Sequence, residues 1–223
     1  SAISRDEEDI TLNKEQELAL AEISSYLGKN NFTPILLHGV TGSGKTEVYL
    51  NAIEKVLKSG GTAIYLVPEI ALTPQLISRI AGRFDEQKIA VLHSGIAESV
   101  RYDQWRQIKR GSINLVIGAR SAIFAPLPNL KLIIVDEEHD TSYKQDDRLC
   151  YHARDLAVLK AKLNYATVIL GSATPSIRTY FNAQTKKYRY VELTQRVQNR
   201  SLPIVEIIDM KAQKEKQGKT PIL

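Results

Sequence analysis

Residues 34–46 read PILLHGVTGSGKT, a short apolar run followed directly by a glycine-rich stretch. Residues 34–38 predict a strand, and residues 39–46 match the pattern GxxxxGKT. A helical pattern begins at Gly44 and continues to Ser59. Strand, loop and helix in this order are the context that a P-loop requires, so this stretch predicts a phosphate-binding turn.

The same alternation of strand and helix extends over most of the chain. Further strands are predicted at 62–67, 89–93, 114–118, 132–135 and 167–170. Helices are predicted at 13–27, 44–59, 74–84, 97–110, 152–163 and 176–182. Residues 132–135 (LIIV) are apolar at every position, which is typical of a parallel strand covered on both faces. The pattern predicts a doubly wound α/β domain with a mostly parallel sheet and a ligand site at the carboxyl ends of its strands.

Composition and length fit a globular protein and exclude several other classes. The chain has 223 residues, of which 43% are hydrophobic and 25% are charged. Its one cysteine, Cys150, can form neither an internal disulfide nor a structural zinc site with four ligands. No apolar run approaches the roughly 20 residues of a membrane span, and no signal peptide is visible. We therefore expect a cytoplasmic protein without a membrane partner.

Charge is distributed unevenly along the chain. The net charge is +5, but residues 1–185 hold 21 basic and 21 acidic side chains. Residues 186–223 hold nine basic against four acidic residues, so the excess belongs to the end of the chain. A solvated tail explains this excess better than a nucleic-acid-binding core does. Residues 1–10 are polar and acidic and are read as a linker or a cloned end, and the domain is predicted to span residues 11–198.

The glycine-rich stretch predicts specific phosphate contacts. Its glycines let successive N–H groups point at phosphate oxygens, next to the positive end of the following helix. The predicted nucleotide-binding residues are Gly39, Thr41, Gly42, Ser43, Gly44, Lys45 and Thr46. Lys45 is expected to reach the β- and γ-phosphates, and the Thr46 hydroxyl to bind Mg²⁺. A glycine-rich turn that merely caps a helix is the alternative.

Acidic residues follow the apolar strand 132–135, where a P-loop protein needs them. Asp136 is expected to bind Mg²⁺, and Glu137 to polarise the attacking water, which favours hydrolysis over transfer to a second substrate. Glu138 is either a coupling residue or a solvated acid at the start of a helix. His139 is either a coupling residue or a satisfied polar residue near the surface.

Two further segments carry polar groups toward this site. Ser172 and Thr174, after the strand at 167–170, can hydrogen-bond to residues 136–139 and respond to the γ-phosphate. Asn13 and Gln16 have the spacing of a capping box, which stabilises a helix start. Gln16 could instead read an adenine base through its amide, and the sequence leaves both interpretations open.

These segments resemble motifs I, II and III of superfamily 2 helicases. The strings VPEIALTPQ at 67–75, GARSA at 118–122 and DEEHDTSYKQ at 136–145 resemble, more narrowly, the bacterial replication-restart helicases. The resemblance covers about residues 11–210 and implies the first, RecA-like motor lobe of a 3′ to 5′ DNA helicase. It implies ATP and Mg²⁺ as ligands, Gln16 as the residue that reads the base, and single-stranded and forked DNA, single-strand-binding protein and other primosome proteins as partners.

The resemblance also assigns residues to DNA contact and to coupling. It places Pro68, Thr73, Gln75, Arg120 and Ser121 along the DNA backbone, and Arg120 and Ser121 are plausible phosphate contacts by their chemistry. Residues 143–152 resemble an aromatic-rich loop that couples DNA binding to hydrolysis. Leu149 and Cys150 depart from that pattern, which leaves Tyr143 and Tyr151 as the rings available for stacking on bases.

Further parts of such a helicase are expected outside this chain. Residues 199–223 are read as the start of a connection to a second lobe, and that lobe would supply an arginine finger. A zinc region is expected only in another part of the full protein. We therefore expect the isolated lobe to be nearly inactive. DNA contact should be dominated by the backbone and sensitive to salt. A double-stranded DNA translocase and, less favoured, a nucleotide-gated binding module without hydrolysis are the alternatives.

Overall fold

The computed structural model describes residues 11–147 and 149–197. A seven-stranded sheet has the order β3-β4-β2-β5-β8-β1-β9, and every neighbouring pair is parallel. Its strands are β1 (Thr33–Gly39), β2 (Thr62–Leu66), β3 (Ile89–Leu92), β4 (Leu115–Gly118), β5 (Leu130–Val135), β8 (Thr167–Ser172) and β9 (Arg189–Leu193). A separate antiparallel hairpin pairs β6 (Lys144–Gln145) with β7 (Tyr151–His152). The predicted doubly wound α/β class is confirmed.

In the part of the chain that the structure describes, six α-helices cover the sheet. They are α1 (Lys14–Ser24), α2 (Lys45–Lys58), α3 (Pro74–Arg83), α4 (Glu98–Lys109), α5 (Ala153–Leu163) and α6 (Ile177–Gln184). Helices α1, α2 and α3 pack on one face in a core that includes Ile53, Ile80 and Ile134. Helices α4 and α5 pack on the other face, where Ile108 and Ala157 meet strand residues. Both faces of the sheet are therefore covered by helices, which explains why its central strands are continuous apolar runs.

Side-chain caps fix where three helices begin. The Asn13 side chain accepts the Gln16 N–H, the Thr73 side chain accepts the Leu76 N–H, and the Ser176 side chain accepts the Thr179 N–H. Each cap satisfies one of the N–H groups that the first turn of a helix leaves without a partner. Helix α1 ends at Ser24, three residues before its predicted end at 27, and the left-handed Gly28 follows shortly after.

Three strands were not predicted from the sequence. Strand β9 carries charged Arg189 and Glu192 at the edge of the sheet, so it lacks the apolar run that marked the central strands. Strands β6 and β7 have two residues each, too short to leave a periodic pattern. Residues 1–10 and 199–223, which the sequence assigned to a linker and a connection, lie outside the described residues, so those boundaries stay predictions.

All of the strand ends that carry candidate residues lie at one edge. Because the sheet is parallel, β1 runs into residues 39–46, β5 into Asp136, and β8 ends at Ser172 at this same edge. Strand β2 leads to Pro68 and β4 to Arg120 there. Within residues 11–147 and 149–197, no helix is long and apolar enough to cross a membrane.

Leu37→Ala should destabilise the domain far more than Leu163→Ala. Leu37 lies in β1 with none of its surface exposed, whereas Leu163 ends α5 with 71% exposed. Truncation of a buried leucine removes transfer free energy and leaves a cavity, so we expect a loss of about 2–5 kcal/mol for Leu37→Ala. The exposed site should change by less than about 0.5 kcal/mol. Urea unfolding of the two variants measures both, and equal losses would contradict the placement of β1 at the centre of the core.

Candidate nucleotide-binding site and adjoining cleft

The loop at 39–46 has the backbone conformation that its glycines allow. Gly42 has φ 79° and Gly44 has φ 77°, both in the left-handed region. Gly44 is also the N-cap of α2, so the loop runs straight into the first turn of that helix. Lys45 is buried, and its Nζ donates to the Gly39 carbonyl at 2.8 Å. The lysine ammonium thus lies across the mouth of the loop, where a phosphate would be held.

Helix α1 is joined to this loop through Gln16. The Gln16 Oε1 accepts from Asn13 N and the Asn13 Oδ1 accepts from Gln16 N, both at 2.9 Å, so the capping box is confirmed. The Gln16 Nε2 donates to the Ser43 carbonyl at 2.8 Å. A Cβ on Gly44 would lie 2.2 Å from that nitrogen, and the left-handed φ of 77° also favours glycine at this position. The reading of an adenine base by Gln16 stays a prediction.

Asp136 follows β5 and lies at the centre of the site. Its Oδ1 accepts from Tyr49 at 3.2 Å and from the Glu137 N–H at 3.0 Å, and its Oδ2 lies 3.5 Å from the Tyr65 hydroxyl. Burial, with the negative charge of Glu137 nearby, raises the pKa of Asp136 to about 6, although Lys45 opposes this rise. The site therefore concentrates negative charge that a cation would relieve.

Glu137 is held in an unusual backbone conformation beside the lysine. Its φ of 43° is left-handed, which is uncommon for a residue other than glycine and is characteristic of functional sites. Its carboxylate lies 3.8 Å from Lys45 Nζ through Oε1 and 3.6 Å from His139 Nδ1 through Oε2. Glu137 is more exposed than Lys45, so a water molecule can reach it.

Glu138 is not the solvated helix-start acid that the sequence left open. None of its surface is exposed, and it lies in a turn, where its own N–H donates to the Gly171 carbonyl. Its Oε2 accepts from Arg154 Nη1 at 3.1 Å and from the Thr179 hydroxyl at 2.9 Å, and its Oε1 accepts from Ser176 N at 2.6 Å. Burial of a charge requires such pairing. The sequence missed Arg154, because a single arginine in the first turn of a helix gives no signal of its partner.

The structure brings His139 together with Ser172 and Thr174. The Ser172 hydroxyl lies 2.7 Å from His139 Nδ1 and accepts the Thr174 N–H at 2.9 Å. The Thr174 hydroxyl lies 3.4 Å from His139 Nε2. The segments after β5 and β8 are therefore joined by side chains at the edge where Glu137 lies.

The donor set fits a magnesium ion that is shared with a nucleotide. Mg²⁺ prefers oxygen ligands and usually keeps several waters, so one or two protein oxygens suffice beside substrate phosphates. Thr46 supplies a hydroxyl and Asp136 a carboxylate whose charge is held at a buried position. Among residues 11–147 and 149–197, no three His, Cys, Asp or Glu side chains converge as an all-protein metal cage would need.

A polar cleft lies at the same edge of the sheet, past the ends of β2 and β4. It has a volume of about 470 Å³ and is lined by Glu69, Ser94, Arg101, Ala119, Arg120, Ser121, Ser142, Gln145 and Tyr151. Arg120 donates to the carbonyls of Ser142 and Lys144, which holds its guanidinium against the hairpin. The sequence predicted Arg120 and Ser121 here but missed Arg101, which comes from α4.

The other predicted DNA-contact residues are placed differently. Gln75 is exposed in the first turn of α3, and Thr73 caps that helix. Pro68 is buried, so its ring is not available to a bound strand, and the placement of this segment along DNA stays a prediction. Its carbonyl accepts the Ala71 N–H and shapes the turn that carries exposed Glu69.

Only one of the two predicted stacking rings is accessible. Tyr143 is fully buried and its hydroxyl donates to the Asp136 carbonyl at 2.7 Å, so the expectation that it stacks on a base is wrong. Tyr151 lies partly exposed in the cleft, edge-on to Phe124 with ring centroids 5.1 Å apart. Leu149 and Cys150 are exposed between the hairpin strands.

A buried acid next to Thr46 was also missed. Glu47 is buried in the first turn of α2, where it pairs with Arg79 and, at 3.0 Å, with Arg83. Arg83 pairs in turn with Glu54 at 2.9 Å. Both arginines belong to α3, so the helix that follows the P-loop is joined by charge to the helix that carries Gln75.

This geometry defines a nucleotide-binding P-loop lobe of the RecA-like type, with a polar cleft at the same sheet edge. Residues 13–182 match the family model described as DEAD/DEAH box helicase. The chain therefore belongs to the DEAD/DEAH box helicase family.

Comparison with known proteins gives closer relatives. The chain is 50% identical over 204 residues to replication restart protein PriA of Bacillus subtilis, which covers 92% of the chain and 25% of that protein. It is 48% identical over 213 residues to PriA of Chlamydia pneumoniae, which covers 95% of the chain and 28% of that protein. The chain thus spans about a quarter of the length of these relatives.

A solved structure of RecG bound to a three-way DNA junction has the same fold. It matches 86% of the chain and 25% of its own chain with a TM-score of 0.63 and 23% identity.

Asp136→Asn should stabilise the domain at neutral pH in the absence of nucleotide and divalent ions. The folded pKa of Asp136 is about 6 and its ordinary value is 3.8, so the folded state binds more protons between these values. Stability therefore falls as pH rises through this window. We expect the variant to gain about 2 kcal/mol at pH 7.5, a gain that shrinks toward zero near pH 4.

Thermal unfolding from pH 4 to 8 measures this gain. Asp103→Asn, at an exposed aspartate on α4, is the matched control and should show no such dependence. A gain for Asp136→Asn that is constant across the range would contradict a buried, destabilised carboxylate.

Proposed function

We propose that this chain is the ATP-binding motor lobe of a 3′ to 5′ DNA helicase that acts in replication restart. One observation carries the proposal: Lys45, Asp136 and Glu137 meet at the sheet edge where His139 contacts Ser172. This arrangement supports our assignment of Lys45 as the phosphate-binding cation, Asp136 as the metal-binding acid and Glu137 as the general base, beside a second polar segment. The similarity to PriA over nearly the whole chain supports the particular process.

In the proposed reaction, water attacks the γ-phosphorus of ATP and ADP leaves as the bond to its β-phosphate oxygen breaks. Lys45, now bonded to the Gly39 carbonyl, turns to the β- and γ-phosphates. Thr46 and Asp136 would hold Mg²⁺, and a bound Mg²⁺ would supply charge neutralisation to the phosphate oxygens. Glu137 orients the water and accepts its proton. Gln16 reads the adenine from its position against Ser43.

Coupling to DNA would use the groups that surround these residues. His139, Ser172 and Thr174 form a hydrogen-bonded unit that can follow a change at Glu137, because His139 lies beside both Glu137 and Ser172. Glu138 joins this segment to α5 and α6 through Arg154 and Ser176. These contacts give a physical route from the phosphate site to both helices.

The cleft is the proposed path of single-stranded DNA. Arg120 offers a charge and Ser121 a short donor to phosphates, and Tyr151 offers a ring to a base. Gln75 and Thr73 extend the path toward α3. Tyr143 would contribute from within, by tying the hairpin to the Asp136 carbonyl.

Forked DNA, single-strand-binding protein and other primosome proteins are the proposed partners of the full protein. These partners and the cytoplasmic location rest on family resemblance. The zinc region and the second lobe are proposed to lie in the part of such a protein that this chain does not span.

ATP turnover measured with and without single-stranded DNA tests the proposal. In a full-length protein that contains this chain, DNA should stimulate turnover, and Lys45→Ala should lower it by about 10²-fold or more through loss of phosphate stabilisation. Lys58→Ala, an exposed lysine at the end of α2, is the matched control and should turn over normally. The chain alone should turn over slowly in each case.

Two outcomes would contradict parts of this proposal separately. Turnover that survives Lys45→Ala would overturn the P-loop site. Turnover that depends on Lys45 but ignores DNA would leave the nucleotide site intact and overturn the helicase function.

A further inference from the structure

We propose that Tyr49 is a positioning residue for the metal-binding carboxylate of Asp136, with Tyr65 as its weaker counterpart. The inference deepens the proposed function, because it concerns how the same site holds its metal ion. Each tyrosine acts through Asp136.

The two hydroxyls approach different oxygens of one carboxylate. Tyr49, in α2 three residues after Thr46, donates to Asp136 Oδ1 at 3.2 Å. Tyr65, in β2, lies 3.5 Å from Oδ2. Both side chains are almost completely buried, and their rings pack edge-to-face with centroids 5.8 Å apart. Two buried side chains, one from α2 and one from β2, thus contact the carboxylate.

The number of donors differs between the two oxygens. Oδ1 accepts from both Tyr49 and the Glu137 N–H, whereas the approach of Tyr65 to Oδ2 is long for a hydrogen bond between two oxygens. Oδ2 is therefore the oxygen with lone pairs left for a metal ion or its bound water. Tyr49 fixes the rotation of the carboxylate that presents Oδ2 to the site.

The Tyr49 hydroxyl occupies the space that a side chain at position 171 would need. A Cβ on Gly171 would lie 1.5 Å from the Tyr49 hydroxyl oxygen and 2.7 Å from Cζ, so no other residue fits there without moving the tyrosine. Gly171 belongs to β8, one residue before Ser172. Tyr49 therefore reaches from the helix after the P-loop to the ends of both β5 and β8.

Removal of the Tyr49 hydroxyl is expected to weaken metal binding. Groups that hydrogen-bond to a metal ligand orient it, and their loss typically lowers metal affinity by 10- to 100-fold. Tyr49→Phe keeps the ring that fills the core and removes only the hydroxyl. The core packing of the ring is therefore kept, and the main effect should fall on metal binding.

Binding of Mn²⁺ to the chain in the presence of ADP, followed by electron paramagnetic resonance, tests the inference. Tyr49→Phe should weaken Mn²⁺ binding by about 10-fold, and Tyr65→Phe should weaken it less because of its longer contact. Tyr190→Phe, which removes a hydroxyl that contacts His38 and Glu192 instead of Asp136, is the matched control and should bind as the wild type does. Binding of ADP in EDTA should be equal in all four proteins.

A double variant distinguishes an effect of Tyr49 through Asp136 from a general loss of stability. In an Asp136→Asn background, Tyr49→Phe should cause no further loss of Mn²⁺ affinity, because the hydroxyl acts only through the carboxylate. A further loss of similar size there would overturn the inference. If the wild-type chain binds Mn²⁺ and Tyr49→Phe binds it equally well, the role of the tyrosine is overturned and the metal site stands. A wild-type chain that binds ADP equally well with and without metal would overturn the proposed metal site and this inference with it.

Discussion

The burial of the Asp136 carboxylate at the end of β5 is the constraint on which the rest of the site depends. A charge at a buried position is costly unless donors and opposite charges surround it. Here Lys45 lowers the cost by its charge, Tyr49 and the Glu137 N–H supply hydrogen bonds, and the Tyr65 hydroxyl lies 3.5 Å from Oδ2. These groups come from α2, β2 and the turn after β5, so their common target fixes how those elements meet.

Two further buried acids, Glu47 and Glu138, are also paired with opposite charges. Glu47, one residue after Thr46, is neutralised by arginines of α3, and Glu138 is neutralised by Arg154 of α5. Removal of either partner would leave an uncompensated charge in the interior, so these pairs hold elements in one arrangement even where their net contribution to stability is small. Helix α2 is thereby joined to α3 on one face of the sheet, and the acidic turn after β5 is joined to α5 on the other. In the proposed motor, these are the elements through which DNA and nucleotide would influence one another.

The sequence predicts the features that lie within short motifs, and it does not predict contacts between residues that are distant in sequence. The P-loop, Asp136 and Glu137 were found because each lies in a short motif beside an apolar strand, and the parallel sheet followed from runs such as 132–135. The burial of Tyr143, Pro68 and Glu138 was not predicted, because it depends on neighbours distant in sequence. Arg154 and Tyr49 gave no signal for the same reason, since their partners Glu138 and Asp136 lie 16 and 87 positions away. Strand β9 was missed because an edge strand carries charges that hide its pattern.

Hydrogen–deuterium exchange of the chain with and without Mg²⁺ and ADP tests whether nucleotide binds at this edge of the sheet. We expect slower exchange at residues 39–47 and 135–139, where the loop and the acidic turn would close on the ligand, with α4 unchanged as an internal reference. Saturating ligand that leaves both segments unprotected, or that protects a different edge of the sheet, would contradict the placement of the nucleotide site.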